Sequence, residues 1–117
     1  MFDFKFAQLC FHDSRIESVE REAQTLTVRL DRGLIHRGER HEVLQNVSLV
    51  FMGVEEERSV VWLDDKAGRP HSRPEFPIVE VTEISMTDDV FKFEGFCRER
   101  EWCEWWIRAR DFRLIKF

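Results

Sequence analysis

The sequence has no tyrosine, and among its 117 residues there are only three prolines, five glycines and three cysteines. No apolar run approaches the roughly 18 residues that a membrane-spanning helix needs, which argues against a membrane protein. An odd cysteine count (Cys10, Cys97, Cys103) with no Cys-x-x-Cys pair argues against a disulfide framework and points to a reducing, cytoplasmic setting. The opening Met1-Phe2-Asp3-Phe4-Lys5-Phe6 lacks the charged region, apolar run and cleavage site of a signal peptide. Positive charge is also short, with 18 Lys and Arg against 23 Asp and Glu for a net charge of −5. A general nucleic-acid binder draws its affinity from neutralising phosphates, so this balance argues against one. The local cluster Arg98, Arg100, Arg108, Arg110 and Arg113 is interleaved with Glu99, Glu101, Glu104 and Asp111. That mixture reads as a salt-bridged strand surface rather than a phosphate track.

What the chain does contain is apolar patterning of period two. Leu26, Val28 and Leu30 alternate with Thr27, Arg29 and Asp31; Val47, Leu49 and Phe51 repeat the pattern, as do Phe91 and Phe93. Eleven Phe and four Trp supply bulk for a core, and the length fits one domain spanning residues 1–117. The expected fold is mainly β, an antiparallel β-sandwich or curved barrel of about seven to eight strands with little helix. Hairpins are expected between residues 16–21 and 25–31, and between residues 78–86 and 90–96. A third would join residues 101–109 to a last strand through Arg110-Asp111. Two stretches interrupt the pattern: the polar residues 33–42, and residues 64–77, which hold all three prolines and read as a long loop. A short N-terminal turn is expected within residues 4–11.

Candidate chemistry is sparse. Phe11-His12-Asp13-Ser14 places an imidazole beside a carboxylate and a hydroxyl. Neighbours on an extended chain point to opposite faces, however, and no Gly-x-Ser-x-Gly elbow frames Ser14. A turn in which Asp13 or Ser14 caps local backbone and Phe11 enters the core is the expected role. His12, His36, His41 and His71 show no paired ligand spacing and read as isolated surface residues, so no metal is expected. Glu55-Glu56-Glu57 reads as a solvated turn, without the glycine-centred loop of a calcium site. The tryptophans Trp102, Trp105 and Trp106 carry the one partner-binding signal. Strand alternation puts Trp102, Glu104 and Trp106 on one face and Cys103, Trp105 and Ile107 on the other, so both faces bear an indole, and core packing of both faces stands beside partner contact as the reading.

Residues 11–19, Thr25-Leu26-Thr27-Val28 and residues 47–54 together resemble a widespread group of small bacterial β domains. These open with a Phe-His-Asp-Ser-like step, run into a hairpin and carry a Phe-x-Gly-Val strand end, here Phe51-Met52-Gly53-Val54. Asp111-Phe112-Arg113-Leu114 is similar to their closing strand. Some members resemble immunity proteins of polymorphic toxin systems, and the likeness, over about half the chain, implies a fold and no catalytic residue. The resulting expectation is a non-enzymatic protein-binding module without cofactor, with toxin neutralisation as the version that the resemblance implies. The alternative is a small-ligand-binding β-barrel with an aromatic-lined cavity. A homodimer is also expected, on the premise that the tryptophan strand, near the chain end, forms a sheet edge open to a second copy.

Overall fold

The computed structural model describes residues 6–62, 68–71 and 73–116. Phe4 and Lys5 of the expected N-terminal turn, residues 64–67 and 72 of the proline-rich segment, and Phe117 lie outside the described residues. A 3-10 turn, Phe6–Gln8, leads into β1 (Leu9–Cys10), β2 (Ser14–Glu22), β3 (Thr25–Arg37) and β4 (Arg40–Trp62). There follow β5 (Gly68–Pro70), β6 (Glu80–Thr87), β7 (Val90–Phe96) and β8 (Trp102–Lys116). All eight strands pair antiparallel in the order β1-β3-β2-β6-β7-β8-β4-β5. Because β4 also pairs with β3, the sheet curls round into a ring. Among the described residues no helix is long and apolar enough to cross a membrane.

The period-two residues fill the inside of this ring. Leu26, Val28, Leu30, Val47, Leu49, Phe51, Phe91 and Phe93 are all buried, while their alternating neighbours face outward. The aromatic rings lie on one another: Phe51 meets Phe91 at 4.8 Å and Phe93 at 6.0 Å between centroids, and Phe93 meets Trp105 at 4.9 Å. Each such side chain contributes about 1.5–3 kcal/mol by leaving water. In β6 the inward parity changes, from Val81 to Ile84, because the register with β7 shifts between Val81 and Glu83.

Several sequence expectations are corrected. Arg110-Asp111 is not a hairpin turn, since β8 runs through it as one strand of 15 residues. Glu55, Glu56 and Glu57 likewise lie inside β4, a strand of 23 residues. Gly53, at a φ of 64°, and the register shift between Val54 and Glu56 bend β4 without reversing it. The two charged runs face each other across this bend. Arg110 Nε lies 3.6 Å from Glu55, and Arg108 3.9 Å from Glu56. The polar residues 33–42 are not a loop but the β3–β4 hairpin, closed by Gly38-Glu39 with Gly38 at a φ of 64°. Within the proline-rich segment, Gly68–Pro70 adds a short strand to the end of β4.

Backbone packing makes Gly95 the tightest point of the β6–β7 pair. A Cβ there would overlap the Glu80 carbonyl oxygen, whereas one at Gly38 would meet open space. Gly95→Ala is expected to destabilise the fold by about 3 kcal/mol or more. Gly38→Ala should cost only the about 1–2 kcal/mol of left-handed backbone strain. Urea denaturation of the two variants measures the difference.

Candidate functional site

The Phe-His-Asp-Ser step lies where the ring closes. The β2–β6 ladder has only Ser14 opposite Val81 and Arg15 opposite Glu80. The tetrapeptide reinforces this seam. Asp13 N donates to the Val81 carbonyl at 2.9 Å, and His12 Nδ1 donates to the Thr82 carbonyl at 3.0 Å. Ser14, 1% exposed, donates from Oγ to the Arg32 carbonyl at 2.8 Å, binding β2 to β3 as well. Asp13 adopts a φ of 64°, a conformation that Asp tolerates better than most residues, and Ser14 N bonds back to the Phe11 carbonyl to close the turn. Phe11 is buried against Gly33, where a side chain would collide with its ring. His12 and Asp13 are both exposed, 3.5 Å apart, and face away from the buried Ser14 hydroxyl. The three do not converge into a catalytic arrangement.

The tryptophan strand is divided between the two sides of the sheet. Trp105 is 1% exposed inside the ring, its Nε1 donating to Glu57 at 3.2 Å, which removes it from any contact surface. Trp102 and Trp106 lie half-buried on the outside. The tryptophan segment of β8 is not an edge, because β7 and β4 pair with residues 102–108 on either side. Curling the sheet into a ring takes up the very edge on which the dimer premise stood.

Cross-strand register then assembles a row on the outer face. Arg15 stands opposite Glu80, Glu80 opposite Phe96, Phe96 opposite Trp102, and Trp102 opposite Trp62. Directly opposed residues share a face, so five strands contribute one continuous line. Phe96 and Trp102 meet edge-on at 5.3 Å, and the Arg100 guanidinium lies 5.6 Å over Phe96 while bonding Glu80 at 2.8 Å. Trp62 is 37% exposed. The adjacent row carries Glu94 and Glu104, with Lys92 Nζ at 2.7 Å and 3.0 Å from their carboxylates. Beyond it Arg58 stacks on Trp106 at 5.2 Å. Sequence reasoning missed Trp62 and Phe96, since only register brings them beside Trp102.

At the arginine end of the row lies a cleft of about 570 Å³, lined by Arg15, Arg73, Arg98 and Arg100, by Glu75 and Glu80, and by Phe76, Val79 and Cys97. Arg100 is committed to Glu80, whereas the guanidiniums of Arg15, Arg73 and Arg98 make no hydrogen bond or ion pair among the described residues. The segment bordering the cleft is held from inside the ring. Arg21 grips Glu57 through Nε and a terminal nitrogen at 2.9 Å and 2.8 Å, and donates onward to the Pro74 and Glu75 carbonyls. The bond to Glu57 holds the Arg21 guanidinium above its ordinary pKa, against the opposing effect of burial.

The histidines are not the isolated surface residues that the sequence suggests. His36 and His41 face each other across the β3–β4 hairpin, Nδ1 to Nδ1 at 2.6 Å. His71 is buried, accepting the Arg73 amide at Nδ1 and donating from Nε2 to the Pro77 carbonyl, both at 2.8 Å. Beside it lie the buried thiols of Cys97 and Cys103, the three ligand atoms within 4.8 Å of one another. Cys103 stands opposite Gly95, so that Cys97, two residues on and just past the end of β7, is its diagonal neighbour. Burial, then the adjacent Cys97 thiol, pushes Cys103 up from 9.0 to about 12. Glu99 is held below the usual carboxylate range by its own backbone amide and by the Cys97 thiol.

No family model, curated protein or solved structure matches this chain.

Two measurements test this geometry. Ser14→Ala leaves the Arg32 carbonyl without its partner and is expected to cost about 1–3 kcal/mol, against less than about 1 kcal/mol for the exposed His12→Ala, as read by urea denaturation. The raised Cys103 pKa means that the folded state holds this proton more tightly than the unfolded state. Its contribution is therefore complete below pH 9 and lost as pH climbs toward about 12. Cys103→Ala should flatten the decline of stability across that window.

Proposed function

We propose that the protein is a non-catalytic protein-binding module whose contact surface is the outer row from Arg15 through Phe96 and Trp102 to Trp62. The observation that carries this reading is the row itself: two indoles and a phenyl ring, half-buried or exposed, in line with arginine on a rigid sheet. Tryptophan and arginine dominate binding hot spots because they combine large area with fixed polar geometry. The neighbouring Glu94 and Glu104 share a single Lys92, and the chain is acidic overall, which suits a basic partner. Neutralisation of a toxin by occlusion is the specific version, in keeping with the resemblance of the Phe-His-Asp-Ser segment to immunity proteins. Three free cysteines suit a reducing cytoplasm. The reading requires neither a cofactor nor a reacting residue.

Affinity capture from the source organism, followed by calorimetry on the purified partner, tests it. Trp102→Ala is expected to weaken binding by about 30-fold or more, the effect of losing a hot-spot side chain worth about 2 kcal/mol. Val43→Ser, at an exposed position on the β3–β4 hairpin, should leave binding unchanged. Equal affinity in the wild type and Trp102→Ala refutes the surface.

The cleft favours a second reading, that of a small-ligand binder. Its volume exceeds the roughly 300 Å³ at which ligand pockets begin, and its unpaired arginines select an anion. Titration with inorganic phosphate or a dicarboxylate, with Arg15→Gln as the control, separates this reading from the first.

A further inference from the structure

We propose that His71, Cys97 and Cys103 form a zinc site that cross-links the segment after β5 to the β7–β8 hairpin. These are the three protein donors of a Cys2His centre. All three are buried, they come from two regions far apart in sequence, and their ligand atoms lie within 4.8 Å of one another. Thiolate sulfur binds zinc at about 2.3 Å and imidazole nitrogen at about 2.0–2.1 Å, so tetrahedral donors stand roughly 3.5–3.8 Å apart. Closing the cluster therefore asks for side-chain shifts of about 1 Å, within reach of small rotamer adjustments. The imidazole is already aimed by the Pro77 carbonyl and the Arg73 amide. Metal binding at Nδ1 displaces the Arg73 amide, and the Nε2–H bond to the Pro77 carbonyl keeps the ring in place, as a hydrogen-bonded second nitrogen commonly does at metal-bound histidines. Both thiols release their protons on binding. Cys97 also lines the cleft.

The alternative role for these groups is purely a packing one, in which the thiols act as small apolar side chains and His71 pins its own loop. Cobalt(II) distinguishes the two. Titrated into the metal-free full chain under a phosphine reductant, it should bind one ion per chain, with sulfur-to-metal charge-transfer absorption and the intense visible bands of tetrahedral cobalt. Zinc should displace it. Cys97→Ser and Cys103→Ser should abolish the charge-transfer bands and weaken binding by more than about 100-fold, since the loss of even an outer hydrogen-bond partner costs up to that much. The double variant His36→Ala, His41→Ala removes the other histidine pair and should retain them. In the wild type under mildly destabilising urea, where opening exposes the buried thiols, zinc should also slow alkylation of Cys97 and Cys103 while leaving Cys10 unaffected, a readout that needs no variant to fold. Absence of charge-transfer absorption in the wild type, or its loss in the His36, His41 double variant alone, overturns the site. So does unchanged alkylation of Cys97 and Cys103 in the presence of zinc.

Discussion

The ring depends on a short seam. Every other junction around it is an extended ladder, but the β2–β6 ladder has only the pairs of Ser14 and Arg15, continued by one bond from the Ile16 amide to the Val79 carbonyl. Short ladders are weak because few backbone bonds offset the entropy of aligning the strands. The Phe-His-Asp-Ser step supplies what the ladder lacks. It adds the Asp13 amide and the His12 imidazole to β6, and it ties β2 to β3 through the buried Ser14 hydroxyl. A segment that reads at first like catalytic machinery thus spends its polar groups on backbone carbonyls. The seam also places Arg15 opposite Glu80, so the closure that shields the aromatic interior sets one end of the outer row.

The two sides of the same strands do different work. Trp105 lies inside with Phe93, while Trp102, three residues earlier, lies outside with Phe96. Alternation of the pleat is sufficient to separate them. The inner indole is part of the core, and the outer one stays partly open to solvent.

Much of the architecture was legible from the period-two runs, since Leu26, Val28 and Leu30, or Val47, Leu49 and Phe51, have one obvious side to bury. Continuity of the long strands was not. Arg110-Asp111 and Glu55-Glu56-Glu57 look like turns by composition, yet charges also occur where a strand bends on the outside of a ring, and here the two runs answer each other. The outer row and the buried cluster were hidden for a further reason. Residues as distant as Trp62 and Trp102 become neighbours through register, which composition does not encode. Cys97 and Cys103 carried a usable signal. They flank a turn signal, and because the loop places Phe96 opposite Trp102, the five residues between them put both on one face as diagonal neighbours; a two-residue turn would have parted them. His71 offered none, because its burial rests on two backbone partners that only the folded loop provides.

The segment beside the cleft has a different standing from the rest of the chain. Between Arg73 and Val79 it is attached by the Arg21–Glu57 clamp, by His71, by the core side chain of Ile78 and by a few backbone bonds, rather than by a ladder. A ladder transmits any insertion as a change of register along the whole strand, whereas a clamp that grips main-chain carbonyls is indifferent to the side chains between them. The scaffold and the rim of its cleft are therefore separable inheritances. Substitutions at the exposed Arg73, Pro74 and Glu75 leave the ring's geometry intact, whereas Ile78, fully buried in its core, ties the far end of the stretch to the scaffold.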